Sequence, residues 1–269
     1  MPDPAGRPAM MSRTTAVRLL VGLLVFAALG AFVADEPRLG FGIVILAALF
    51  GAIALGGWWL RDRPRGDAHR YEARRLRLRY AARDPHDLAS LPHPLLHRPA
   101  ASRDIEHVAW GSWMGIPVHV FEYSYSVGRQ QGDEGSGAER FTCVLTPVPA
   151  SWPALTIEPR RTLTAVAESV TTTDLRTESD AFNRAFHVRG PDAAFGSALL
   201  DARMIAWIED DASSFGFHLV DGNLLAFTPQ VDPWRIEWVL GMTGGFLAKV
   251  PVAVGSLYPV EGGSARTRW

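Results

Sequence analysis

Two long apolar runs open the chain, and shorter alternating runs fill the rest. The first run extends from about Thr15 to Val33 around the uncharged core "LLVGLLVFAALGAFV". The second, "LGFGIVILAALFGAIALGGWWL", spans Leu39 to Leu60, also without a charge. A bilayer core of about 30 Å needs about 20 helical residues at a rise of about 1.5 Å each. The second run meets that length alone. The first meets it with Ala16, Val17 and a snorkelling Arg18 at the interface. Between them lies "ADEPR", a link that Pro37 keeps from continuing as helix. The pattern predicts a transmembrane helical hairpin, with Trp58 and Trp59 in an interfacial aromatic belt. The competing reading of the first run is a signal peptide, with Arg7, Arg13 and Arg18 ahead of it and "ALG" at Ala28–Gly30 as a weak cleavage site.

Beyond the hairpin the periodicity changes. A juxtamembrane helix is expected from about Asp67 to Arg75. "LRLRY" then alternates, with Leu76, Leu78 and Tyr80 on one face of a half-buried strand. A proline-rich stretch before Ile105 reads as an irregular connection. From Ile105 strands dominate. "IEHVAWGSW" and "IPVHVFEYSYSV" flank a Met-Gly turn, the polar loop Gly128–Glu139 follows, and "RFTCVLTPV" returns with Phe141, Cys143 and Leu145 on one face. "ALTIEP" is a short strand, with a helix expected within Arg161–Ser169. Phe182, Phe186 and Val188 anchor a turn and a strand. "PDAAFGSALLDARMIAWIEDD" reads as one amphipathic helix capped by Asp192, with Phe195, Leu199, Ala202, Ile205 and Ala206 as its apolar stripe. Asp221-Gly222 between apolar runs predicts a type I′ hairpin turn. A last helix starts at Asp232-Pro233, with Ile236, Val239, Leu240 and Leu247 facing inward and Gly241, Gly244 and Gly245 weakening or bending it. The expected fold class is therefore α+β: an N-terminal transmembrane hairpin followed by an antiparallel-sheet domain with flanking helices.

Charge adds a direction. Through Asp84 the chain carries 13 arginines against 7 acidic residues; from Pro85 onward it carries 14 basic against 21 acidic residues. Arginines precede the hairpin and crowd behind it, whereas the link between the spans holds Asp35 and Glu36 against Arg38. Positive flanks stay cytoplasmic, so both termini and the body are expected at the inner face of the plasma membrane. Arg61, Arg63, Arg65, Arg70, Arg74 and Arg75 are the candidate contacts to anionic lipid headgroups, each contributing about 1 kcal/mol near the surface. Nucleic acid is excluded as a partner, since no binding motif accompanies the run and the body is acidic. The expected organisation is 1–14 cytoplasmic tail, 15–33 and 39–60 spans around an external loop at 34–38, 61–104 basic segment and connection, 105–260 cytosolic domain and 261–269 tail.

Candidate chemistry is sparse. There is no phosphate-binding loop, dinucleotide fingerprint, nucleophile elbow or HExxH helix. His93 and His97 stand four apart, as two ligands on a helix face would, but without a third. His107 and His119 lie on adjacent expected strands, where core or edge histidines are the ordinary reading. Glu209, Asp210 and Asp211 read as a solvated helix end. Trp110, Trp113, Tyr123 and Tyr125 read as sheet packing rather than a stacking platform. Cys143, the single cysteine, reads as a buried small hydrophobe; no disulfide and no multi-cysteine metal site is possible within the chain. No catalytic residue, cofactor or metal is expected from these patterns.

In the order "GIPVHVFEYSYSV", "RFTCVLTPVPASWPALTIEP", "ESDAFNRAFHVRGPDAAFGSALLDARMIAWI" and "FGFHLVDGNLLAF", behind apolar spans, the chain resembles a family of uncharacterised actinobacterial membrane proteins. Its most recognisable element is "ESDAFNRAFHV". The resemblance covers about Ile105 to Phe227 and the anchor, and departs at "YAARDPHDLASLPHPLLH". It implies a cytosolic domain behind a membrane anchor and brings no catalytic residues. The expected role is binding, scaffolding or regulation at the inner membrane face; the alternative is a membrane-anchored enzyme acting on a membrane-proximal substrate.

Overall fold

The computed structural model describes residues 65–126, 138–160 and 173–259. The two apolar runs and the helix expected within Arg161–Ser169 lie outside the described residues. No described helix is long and apolar enough to cross a membrane. Among the described residues the architecture is α+β, a nine-stranded antiparallel sheet with flanking helices. Residues 65–75 form helix α1. The strands are β1 Arg79–Arg83, β2 Ser102–Trp113, β3 Ile116–Ser126, β4 Ala138–Pro147, β5 Leu155–Pro159, β6 Thr173–Leu175, β7 Phe186–Gly190, β8 Gly216–Val220 and β9 Asn223–Pro229. They lie side by side as β1-β2-β3-β4-β9-β8-β5-β7-β6.

Two turns fix most of this order. Met114 and Gly115 join β2 to β3 with φ of 49° and 83°; Asp221 and Gly222 join β8 to β9 with 47° and 70°. Positive φ at both central residues is the type I′ geometry, whose twist matches that of the paired strands. The second turn sets Val220 opposite Asn223 and Gly216 opposite Phe227. At Gly216 a Cβ would fall within the Phe227 ring, so the pairing requires glycine there.

The sheet buries both faces. On one, Val118, Val120, Val144, Leu155, Ile157, Phe217 and Leu219 meet the apolar sides of the helices. These helices are α2 Asp180–Ala185, α3 Ala193–Leu199, α4 Ala202–Asp210, α5 Ile236–Lys249 and α6 Val252–Leu257. On the other, Phe121, Tyr123, Tyr125, Phe141, Cys143, Leu145, Leu225 and Phe227 pack with Leu88, Leu95 and Leu96. The proline-rich connection thus has a structural task. It is irregular, with single 3-10 turns at Leu88–Ser90 and Pro94–His97, yet its leucines close the second face of the sheet. Leu76, Leu78 and Tyr80 share the first face as the alternation implies, although the strand itself starts at Arg79.

One helix departs from the sequence pattern. Residues 193–210 form two helices, because the Asp201 carboxylate accepts a hydrogen bond from the Met204 N–H and starts a new helix. The break changes the phase. Met204, Ile205 and Ile208 are buried, and Ala202 and Ala206 face solvent. Asp192 caps α3 as expected, accepting from Phe195 N–H at 3.0 Å. In α5 the glycines do not interrupt the helix. Ile236, Val239, Leu240, Thr243 and Phe246 are buried, and the close approach of Trp207 occupies the space beside Gly245.

Candidate functional site

Three elements bring His69, His107 and Glu122 together. On α1, His69 and Ala73 lie one turn apart and both turn inward, which places the imidazole against the sheet. On β2, His107 is a left-handed residue inside a continuous strand. Ile105 and Val108 are buried in the same cluster although they are three residues apart, and His107 between them has φ 55°. The pairing with β1 stays in register on either side, Ala81 opposite Val108 and Arg83 opposite Glu106, so the left-handed residue shifts the phase of the alternation without an inserted residue. On β3, Glu122 stands among valines on the helix-covered face. It is 7% exposed and His69 3%.

His69 Nε2 lies 2.9 Å from Glu122 Oε1. Gln230 donates from Nε2 to Glu122 Oε2 at 2.8 Å. The His69 and His107 rings stack with centroids 4.6 Å apart and planes within 13°. The Tyr80 hydroxyl lies 2.9 Å from His107 Nδ1. One potential ligand atom from each of His69, His107 and Glu122 falls within 4.8 Å of the others; among the described residues it is the one such group of three. Outer partners therefore orient the carboxylate and one imidazole, the usual dress of a site whose side chains must hold a fixed direction.

A second polar cluster sits under the proline-rich segment. Arg98 donates to Glu158 at 2.8 Å, and His218 Nε2 lies 2.6 Å from the other carboxylate oxygen. Arg98 also donates to the Tyr125 hydroxyl, which donates to Glu139 at 2.8 Å. Burial alone would raise the Glu158 pKa, but His218 and Arg98 outweigh it and hold the group at about 2. His93 lies close by, its ring 6.4 Å from that of His218. It is fully buried and neither ring nitrogen has a hydrogen-bond partner. Burial, reinforced by His218, lowers its pKa to about 3, so the ring is neutral. This cluster ties the irregular segment to the sheet, and removing one partner of such a buried pair costs about 3–5 kcal/mol.

No protein-family model matches the chain, and neither does any curated protein sequence. The fold has a solved counterpart. It is the crystal structure of the mycobacterial trehalose monomycolate transport factor A, TtfA, with a TM-score of 0.51. The match covers 70% of this chain and 97% of that chain at 12% identity, a likeness of fold alone.

The residues singled out in sequence are distributed as follows. Of the headgroup candidates, Arg61 and Arg63 lie outside the described residues. Arg70 and Arg74 are exposed, and Arg65 is half-buried. The Arg75 guanidinium binds Glu72 and Glu237 at 2.7 Å each, which engages it within the domain. His93 and His97 do not converge, since His97 bonds the Leu91 carbonyl from an exposed position. His107 and His119 part company, with His119 packing against His86. Glu209 is half-buried, and Asp210 and Asp211 are exposed at the end of α4. Tyr123 and Tyr125 enter the second core, whereas Trp113 packs with the first. Cys143 is fully buried, and burial pushes its thiol pKa well up. His69 and Glu122, which stand beside His107, are not among the residues that the sequence patterns single out. The available signal was the Met-Gly turn, since counting outward from it sets His107 beside Glu122.

Proposed function

We propose that the chain is a membrane-anchored module whose α+β domain binds, scaffolds or regulates at the inner face of the plasma membrane. The observation that carries this reading is the adjacency of Leu39–Leu60, an uncharged run of membrane-spanning length, to a folded domain already helical at residue 65. An anchor that close leaves the domain little freedom to leave the membrane surface, since four residues reach no more than about 14 Å. The arginines on that stretch favour the cytoplasmic side and anionic headgroups. Arg61, Arg63, Arg65, Arg70 and Arg74 are the proposed lipid contacts.

The fold is shared with a protein named as a trehalose monomycolate transport factor, and the resemblance to actinobacterial anchored proteins supports a role at a membrane. An enzyme acting near the membrane is the alternative. The shallow recess of about 260 Å³ beside β6 and β7 gives it little support, because its Asp174 is already tied to His187 and Arg189. The test is alkaline carbonate extraction of membranes from cells making the full chain or a chain lacking residues 1–60. The full chain should stay in the pellet and the truncated one should extract. Extraction of the full chain would overturn the anchor and the reading with it.

A further inference from the structure

We propose that His69, His107 and Glu122 bind a divalent transition-metal ion of the zinc class. The donor set is two imidazole nitrogens and a carboxylate oxygen, which suits zinc and its neighbours and does not suit calcium or magnesium, whose sites are built from oxygens. The three ligand atoms approach from a helix and two strands and already lie within 4.8 Å of one another. Metal-ligand bonds of about 2.0–2.1 Å in a tetrahedral site separate ligand atoms by about 3.3 Å. The widest gap therefore closes by about 1.5 Å at most, while His69 and Glu122 open slightly from 2.9 Å as the ion takes the place of the shared proton. The imidazole rings lie nearly parallel, so capture of the ion turns one ring out of the stack.

Two further observations separate this cluster from an ordinary buried histidine pair. Tyr80 on His107 and Gln230 on Glu122 are outer hydrogen bonds of the kind that fix ligand direction. The left-handed backbone at His107 is a local departure from strand geometry that turns this side chain toward the group. Three protein ligands leave a fourth position for water or for a group from a partner.

The experiment uses the full chain in detergent, purified without a histidine tag, stripped with a chelator and titrated first with cobalt(II) and then with zinc(II). One cobalt per chain should bind with the visible absorption of a low-coordinate nitrogen and oxygen site, and zinc should displace it. Glu122→Gln and His107→Ala should weaken binding by at least about 100-fold, and Tyr80→Phe or Gln230→Leu by about 10–100-fold. His187→Ala, at a distant exposed ion pair, should change nothing. Glu122→Gln keeps the side-chain size, and retained protection of the buried Cys143 thiol reports that it remains folded. Absence of a stoichiometric cobalt signal overturns the proposal. So does a signal that Glu122→Gln and His107→Ala leave unchanged.

Discussion

His93 gives the sharpest prediction, because its ring is buried with no hydrogen-bond partner at either nitrogen. A histidine in the unfolded chain takes a proton near pH 6.5, whereas burial and His218 hold the folded value at about 3. Between those values the unfolded state binds one more proton than the folded state. Stability therefore rises with pH across that window, by up to about 1.4 kcal/mol per pH unit. From pH 6.5 down to pH 5 the loss from this residue is about 2 kcal/mol. His93→Leu removes the proton and the desolvated nitrogens together. At pH 7 it should leave the domain as stable as the parent or more stable by about 1–2 kcal/mol, since an unsatisfied buried polar group carries a cost of that order. The assay is urea unfolding of a fragment starting at Arg61, parent and variant, at pH 7 and pH 5. The stability lost between the two pH values should be about 2 kcal/mol smaller in the variant. His119, lowered to about 4 by burial, supplies acid sensitivity that remains in both proteins. Glu158, held at about 2, contributes stability above its unfolded value that is lost only below pH 5. An unchanged pH 7 to pH 5 difference would refute the reasoning, as would a loss of several kcal/mol at pH 7.

Three other outcomes are expected. Gly222→Val should destabilise the domain by about 1–3 kcal/mol, the scale of a strained backbone position at φ +70°, while Gly255→Val, facing open space, should cost far less; denaturant midpoints compare them. The Cys143 thiol, buried and raised in pKa, should resist labelling in the native state at neutral pH and react on unfolding, and rapid native labelling would contradict its placement. A fragment starting at Arg61 should bind anionic vesicles and release as salt shortens the screening length below about 10 Å; equal binding to neutral vesicles would exclude headgroup recognition.

The strands were legible where one chemical rule decided them. Asp221-Gly222 can form only a tight hairpin between its apolar flanks, and Phe141, Cys143 and Leu145 alternate cleanly into one core. Residues 193–210 were not legible as two helices, because the apolar spacing continues across Asp201 and only the side-chain cap reveals the restart. The proline-rich connection hid a packing role, since Leu88, Leu95 and Leu96 follow no period. The cluster of His69, His107 and Glu122 was largely invisible. Its members come from three elements, and the left-handed backbone at His107 breaks the alternation by which a face is assigned. Half of it was within reach, because the register counted from Met114-Gly115 pairs His107 with Glu122 and not with His119.

Topology is the most direct test of the anchored-module account. A reporter active only in the cytoplasm and another active only in the periplasm, each fused after Trp269 of the full chain, read the side on which the α+β domain lies. Both arginine-rich flanks of the hairpin predict activity of the cytoplasmic reporter alone, from a chain that keeps its first apolar run. Activity of the periplasmic reporter, or recovery of a chain cleaved near Gly30, would contradict it.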